Sequence, residues 1–151
     1  MIHVSAHAQS ETAPIRWRLV LTAWLLVLLA MVANGTFREL VIERWLSTAA
    51  AGVVSAALGI TWIQLITRPF LRRLGPISAA QCTSIAAVWL VMTVTFEFLF
   101  GHYVDGASWQ ELLADYNVFA GRLWPIVLAS IAAAPFVWSR HVTFAKSNTA
   151  V

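Results

Sequence analysis

The chain has 151 residues, 60% of them apolar and 11% charged, with a mean hydropathy of +0.74. Soluble domains carry about 45–50% apolar and about 25% charged residues, so this is the composition of an integral membrane protein. It excludes a soluble multidomain enzyme, disorder and collagen-like repeats, and a lone Cys82 excludes a disulfide scaffold. The net charge of +3 reads as loop arginines that set topology; no separate basic domain exists to hold nucleic acid.

A spanning helix needs roughly 20 mostly apolar residues, with about 17 as the lower end. Four segments qualify, and strand-like alternation is absent, which excludes a membrane barrel. The expected fold is all-α: one membrane domain over residues 16–140, four transmembrane helices in a bundle with short interfacial helices on the extracytoplasmic side. Residues 1–15 and 141–151 read as polar cytoplasmic tails. His3 and His7, in the first tail, are one helical turn apart and of copper- or nickel-binding type. Without fixed structure around them they read as incidental, and no metal or other cofactor is expected.

The first span covers about residues 17–33. Met31 and Ala33 lack the small-x-small pattern of signal cleavage, so the helix is expected to stay. Asn34-Gly-Thr-Phe-Arg-Glu39 follows, then an amphipathic stretch to Ser47 whose Phe37, Leu40, Val41 and Trp45 share a face. That pattern predicts a helix lying in the interface. Asn34-Gly-Thr36 matches a glycosylation acceptor but abuts the membrane and is discounted. The second span, about 49–67, pairs Gly52 with Ala56 and Ser55 with Gly59 at small-x-x-x-small spacing. Such a face lets helices approach closely, either on a neighbouring span or as a homo-oligomer seam.

Arg68-Pro69 through Gly75-Pro76 closes a hairpin, its prolines expected to end the second span and open the third. The third span, about 77–100, holds Cys82, read as packing, and Glu97, the one acid within any span. Ser108-Trp-Gln-Glu111 has the spacing of a capping box and predicts a short helix to about Tyr116. The last span covers about 123–139, with Pro125 in its first turn and Pro135 expected to kink it near the inner end. Trp24, Trp62 and Trp89 lie deep and read as packing between helices. Trp17 and Trp138 fall at the inner boundary, and Trp45, Trp109 and Trp124 at the outer one.

Charge placement orients the bundle. Arg16, Arg18, Arg68, Arg72, Arg73, Arg140 and Lys146 fall on one side, seven of the ten basic residues. The other side holds Arg38, Arg44 and Arg122 among Glu39, Glu43, Asp105, Glu111 and Asp115. The positive-inside rule then makes both termini cytoplasmic in a multi-pass inner-membrane protein.

The extracytoplasmic side carries the chemistry. A carboxylate on a spanning helix costs roughly 2.5–3.5 kcal/mol near the helix centre and less toward its end, so Glu97 needs a partner. Arg38 and Arg122 are expected at similar depth, and an arginine fork bonds a carboxylate in two places. The candidate cluster is Asn34, Arg38, Glu39, Glu97, His102, Asp115 and Arg122. It serves either as a clamp tying helix ends together or as a proton, ion or headgroup site. His102 beside Glu97 and Asp105 is too few ligands for zinc. No metalloprotease, nucleophile-elbow or phosphate-loop motif appears.

Taken together, Asn34-Gly-x-x-Arg38-Glu39, Phe96-Glu97-Phe-x-Phe-Gly101, Gly106-x-Ser-Trp109, Asp115-Tyr and Gly121-Arg-x-Trp124-Pro resemble a family of small uncharacterised four-span bacterial membrane proteins. The resemblance covers residues 34–125 and implies a bacterial inner membrane and the same layout. It brings no activity, so three function classes stay open. One is an accessory, structural or binding protein with the lipid bilayer and a membrane protein as partners. Another is an oligomeric carrier using Glu97, and the third a membrane enzyme acting on a lipid or headgroup.

Overall fold

A computed structural model of the chain describes residues 14–147, with side chains through Ser139. His3, His7 and the side chains of Arg140 and Lys146 lie outside the described residues. The described chain is helical throughout. Its elements are α1 (Trp17–Leu40), α2 (Thr48–Leu74), α3 (Ala79–Tyr103), α4 (Trp109–Ala114) and α5 (Trp124–Ser147), with single 3₁₀ turns at Ile42–Arg44 and Val118–Ala120. Three segments, Trp17–Arg44, Thr48–Leu74 and Ala79–Tyr103, are long and apolar enough to cross a membrane, while the apolar part of α5, Trp124–Ser139, is shorter. This is the build of a membrane protein.

Local sequence sets the helix starts. Ser47 accepts from the Ala50 amide at the head of α2, and Ser78 with Gln81 forms a reciprocal capping box at the head of α3. Gly75 takes a φ of +82° just past α2, where any side chain would be strained.

The helices pack in the order α1–α2–α5–α3, with α1 and α3 meeting only sparingly. The core between them is Val20, Val27, Ile63, Ile85, Trp89 and Ile131 with their neighbours. Trp89 is 2% exposed and its indole donates to the Val20 carbonyl at 3.2 Å; the Trp24 indole donates to Thr93 Oγ1 at 3.1 Å. Outward, the helices show Leu25, Leu29, Leu65 and Val91, each about half exposed or more. Large apolar side chains facing outward along whole helices suit lipid rather than water.

Several expectations need correction. The first helix does not stop near Ala33 but runs through Asn34-Gly35 to Leu40, and a 3₁₀ turn replaces the amphipathic interfacial helix. The reason lies in Asn34. Its side-chain amide donates to both the carbonyl and hydroxyl oxygens of Ser55 at 2.9 Å, so the polar residue packs on α2 as part of a helix face. Pro69 does not end the second helix, which continues to Leu74 because Leu71 is buried and Phe70 and Leu74 pack on the core. Trp62 is 47% exposed and faces outward, not between helices.

The small-residue face is used within the chain. Ser55 bonds Asn34, and a Cβ on Gly59 would come within 2.9 Å of Met31 Cε and 3.5 Å of Asn34 Nδ2. Gly52 is different. A Cβ there meets nothing within 4 Å.

Candidate functional site

The open space beside Gly52 is a cavity of about 820 Å³ at the Asn34–Glu97 end of the bundle. Its floor is apolar, made by Val27, Met31, Val127 and Ile131 from α1 and α5. Toward the mouth come Asn34, Arg38, Glu97, Asp105, Asp115 and Arg122. Ligand sites run about 300–1,000 Å³ with apolar walls and a few placed polar groups, and this cavity has that size and make-up.

Glu97 is held by aromatic donors. Its Oε2 accepts from the Tyr116 hydroxyl at 2.5 Å and from the Trp124 indole at 2.7 Å. Two donors on one oxygen suit a carboxylate, which accepts at both oxygens and donates from neither. Burial first, then the hydroxyl bond to Glu97 and its charge, push the Tyr116 phenol well above its ordinary value of 10. The phenol therefore keeps its proton and stays a donor.

Folding places those donors through a chain of local contacts. Ser108 and Glu111 form the expected capping box, with the Ser108 amide donating to Glu111 Oε2 at 2.7 Å. The helix it opens stops at Ala114, two residues short of Tyr116. This short α4 lies against α3 because Gly101 has no side chain; a Cβ there would be 2.6 Å from Leu112 Cδ2. Phe98 completes the seat, its ring 5.9 Å from that of Tyr116 and 6.1 Å from that of Trp109. Gly121, in the left-handed region at φ +76°, then turns the chain into α5 and brings Trp124 back over Glu97.

The arginine clamp expected around Glu97 is not formed. Arg38 sits 3.3 Å from Glu39 and 3.5 Å from Glu43, and Arg122 sits 3.3 Å from Asp115. Each arginine has an acidic neighbour nearer in the chain. Exposed pairs of this kind are worth about 0–1 kcal/mol. Of the predicted cluster, Asn34, Arg38, Glu97, Asp115 and Arg122 share the cavity wall, and Glu39 touches it only through Arg38. His102 is elsewhere: its Nδ1 lies 2.9 Å from the Ala107 carbonyl and its ring stacks on Trp109 at 4.0 Å. Those contacts fasten the α3–α4 corner.

The residues that sequence reasoning missed are Tyr116 and Trp124. The signal available was their chemistry as neutral donors near the expected depth of Glu97. Among the described residues, no three His, Cys, Asp or Glu side chains gather to hold a metal ion.

No known family profile, curated protein or solved structure matches this chain.

Proposed function

We propose that this chain is a four-span membrane protein of the binding or accessory type, holding an amphipathic molecule in the cavity at the Glu97 end. The observation that carries this reading is the cavity's layout, an apolar floor beneath a mouth holding Glu97 and Arg122. A molecule with an apolar tail and a polar head matches both parts. An ionisable side chain within a spanning helix is retained where it faces an interior cavity, which is the position of Glu97.

In this reading α5 is the fourth span: its apolar part, Trp124–Ser139, reaches about 24 Å at about 1.5 Å per residue, near the lower end of the spanning range, and the helix runs on to Ser147. Membership in the four-span bacterial family that the chain resembles belongs to the same reading. Arg68, Arg72 and Arg73, in the last turns of α2, favour the cytoplasmic side of an inner membrane for that end, which leaves the cavity on the outside.

The test uses Gly52. Gly52→Phe would push a ring into the cavity without meeting a neighbour at Cβ. Native mass spectrometry from lipid nanodiscs should show a bound amphiphile on the natural chain and lose it in the variant. Identical spectra would sink the reading. Orientation is checked in a Cys82→Ala background, by labelling single cysteines in the Arg72–Gly75 turn and the Asp105–Ser108 loop from outside intact cells. Only the second should react.

A second reading, a carrier using Glu97, is favoured by the placement of that acid inside a helix-lined cavity. It predicts that Glu97→Gln abolishes flux while the fold stays intact.

A further inference from the structure

The charges around the cavity do not cancel. Arg38 and Arg122 are both neutralised by carboxylates within 4 Å, Asp115 among them. Glu97 and Asp105 also line the cavity, and among the described residues neither has a basic group in ion-pair range. The two bonds to Glu97 both fall on Oε2, and no described residue donates to Oε1. The unspent charge in the cavity is therefore negative.

Aromatic rings line the same cavity. Trp24, Phe96, Phe100 and Trp124 all line the cavity, and Phe96 stacks on Phe100 at 5.1 Å. Ring faces carry negative electrostatic potential and attract ammonium groups, most strongly where water is excluded. A carboxylate in a cavity that also holds such rings is complementary to an organic cation.

The cavity also has a side. A second, nearly all-apolar groove of about 580 Å³ runs along α3 past Val91, Leu99 and Val104. Trp24, Phe96 and Phe100 line both the groove and the cavity, so these three rings form the wall between them. The wall lies between α1 and α3, the helices that meet least. Val91, Leu99 and Val104 are all more than half exposed on the outer surface, where lipid chains would lie.

We propose that the cavity binds a long-chain ammonium amphiphile from the bilayer, its cationic head against Glu97 and its tail passing between α1 and α3 into the groove. This rests on the reading of the cavity as an amphiphile site and names the class of molecule and its route.

The test compares two brominated amphiphiles of equal chain length, one with a trimethylammonium head and one with a sulfonate head. Both are titrated into the full chain in phosphatidylcholine nanodiscs, and bromine quenching of tryptophan fluorescence reports binding. The ammonium probe is expected to saturate at about tenfold lower concentration or better, the order a partly desolvated cation contact supplies. Glu97→Gln, which keeps an acceptor for Tyr116 and Trp124, should bring the two probes to near parity. Trp24→Phe should remove a large share of the quenching by a probe brominated at its tail.

Equal or tighter binding of the sulfonate by the natural chain would overturn the cationic head, and that comparison stands even if Glu97→Gln does not fold. Tail quenching unchanged in Trp24→Phe would overturn the route. Either failure leaves amphiphile binding itself intact, provided Gly52→Phe abolishes the saturable quenching. Quenching that Gly52→Phe leaves untouched would bring down both the assignment and the reading beneath it.

Discussion

The two ends of the bundle use the same four long helices differently. At the end nearer Gly75, polar side chains bond to one another across helices. The Trp138 indole donates to Gln64 Oε1 at 2.9 Å, Gln64 Nε2 reaches Ser130 at 3.5 Å, and the Cys82 thiol points at the Pro135 carbonyl at 3.8 Å. Ile63, Ile85 and Trp89 fill the space behind them. At the other end Asn34 bonds Ser55 across α1 and α2, but the donors to Glu97 hold only one of its oxygens, and a cavity takes the place of a core. Close packing and mutual bonding give stability; a carboxylate seated but only half used gives a site. That contrast can be broken or sharpened by substitution.

The largest effect belongs to the packed end. In lipid the transfer term largely vanishes, because acyl chains are as apolar as the core, and lost packing dominates. Trp89→Ala should therefore cost about 2–3 kcal/mol, the packing share of the roughly 3–5 kcal/mol that Trp→Ala costs in soluble cores. Phe96→Ala, on the cavity wall, should cost well under half of that. Unfolding by dodecyl sulfate titration in mixed micelles measures both, and equal losses would erase the contrast.

Next comes the seat of Glu97. A charge-assisted hydrogen bond contributes about 1.5–3 kcal/mol. A double-mutant cycle of Glu97→Gln with Tyr116→Phe should show coupling of about 1 kcal/mol, the charge-assisted share of the bond, since glutamine keeps the acceptor and loses the charge. The same cycle with Arg38→Gln or Arg122→Gln should be additive within about 0.5 kcal/mol. Strong coupling to an arginine would restore the clamp.

Gln64→Leu is a smaller probe of the packed end. Interhelical hydrogen bonds in membranes average about 0.6 kcal/mol, and a loss of that order is expected.

The smallest effect is a pH response at the α4 corner. Hydrogen bonds from the Ser108 amide and hydroxyl hold the exposed Glu111 carboxylate below its ordinary value of 4.5. A lowered folded value means the carboxylate supports α4 above about pH 4.5 and gives way as pH falls through the lower value. Amide exchange in residues 109–114 should quicken there, and Glu111→Gln should remove the pH dependence.

How much of this could be read from sequence follows from which forces are local. Hydropathy located the three long apolar helices because lipid imposes length and composition residue by residue. The Ser108–Glu111 box was legible because its partners are three residues apart. Glu97 stood out as a charge among apolar neighbours, but its partners did not, because counting charges favours Arg38 and Arg122 over neutral donors. What brings Tyr116 to it is the seat of Leu112 on Gly101, and what brings Trp124 is the packing of α5 on α3, both tertiary facts. Pro69 misled for a related reason. Its missing amide is a local signal to stop, and burial of Leu71 beyond it outweighs that signal.

The donors to Glu97 have a consequence for how the chain is made. Tyr116 lies 19 residues and Trp124 27 residues after the carboxylate they hold. Synthesis proceeds at about 5–20 residues per second, so Trp124 emerges about 1–5 s after Glu97. In the four-span reading, α3 enters the bilayer with its acid still bare, and only the arrival of the loop and the head of α5 covers it. Nascent chains arrested with α3 outside the ribosome and Trp124 still inside it should therefore slip more readily from the membrane than those arrested after Trp124 has emerged. The order of emergence makes the last helix the one that finishes the third.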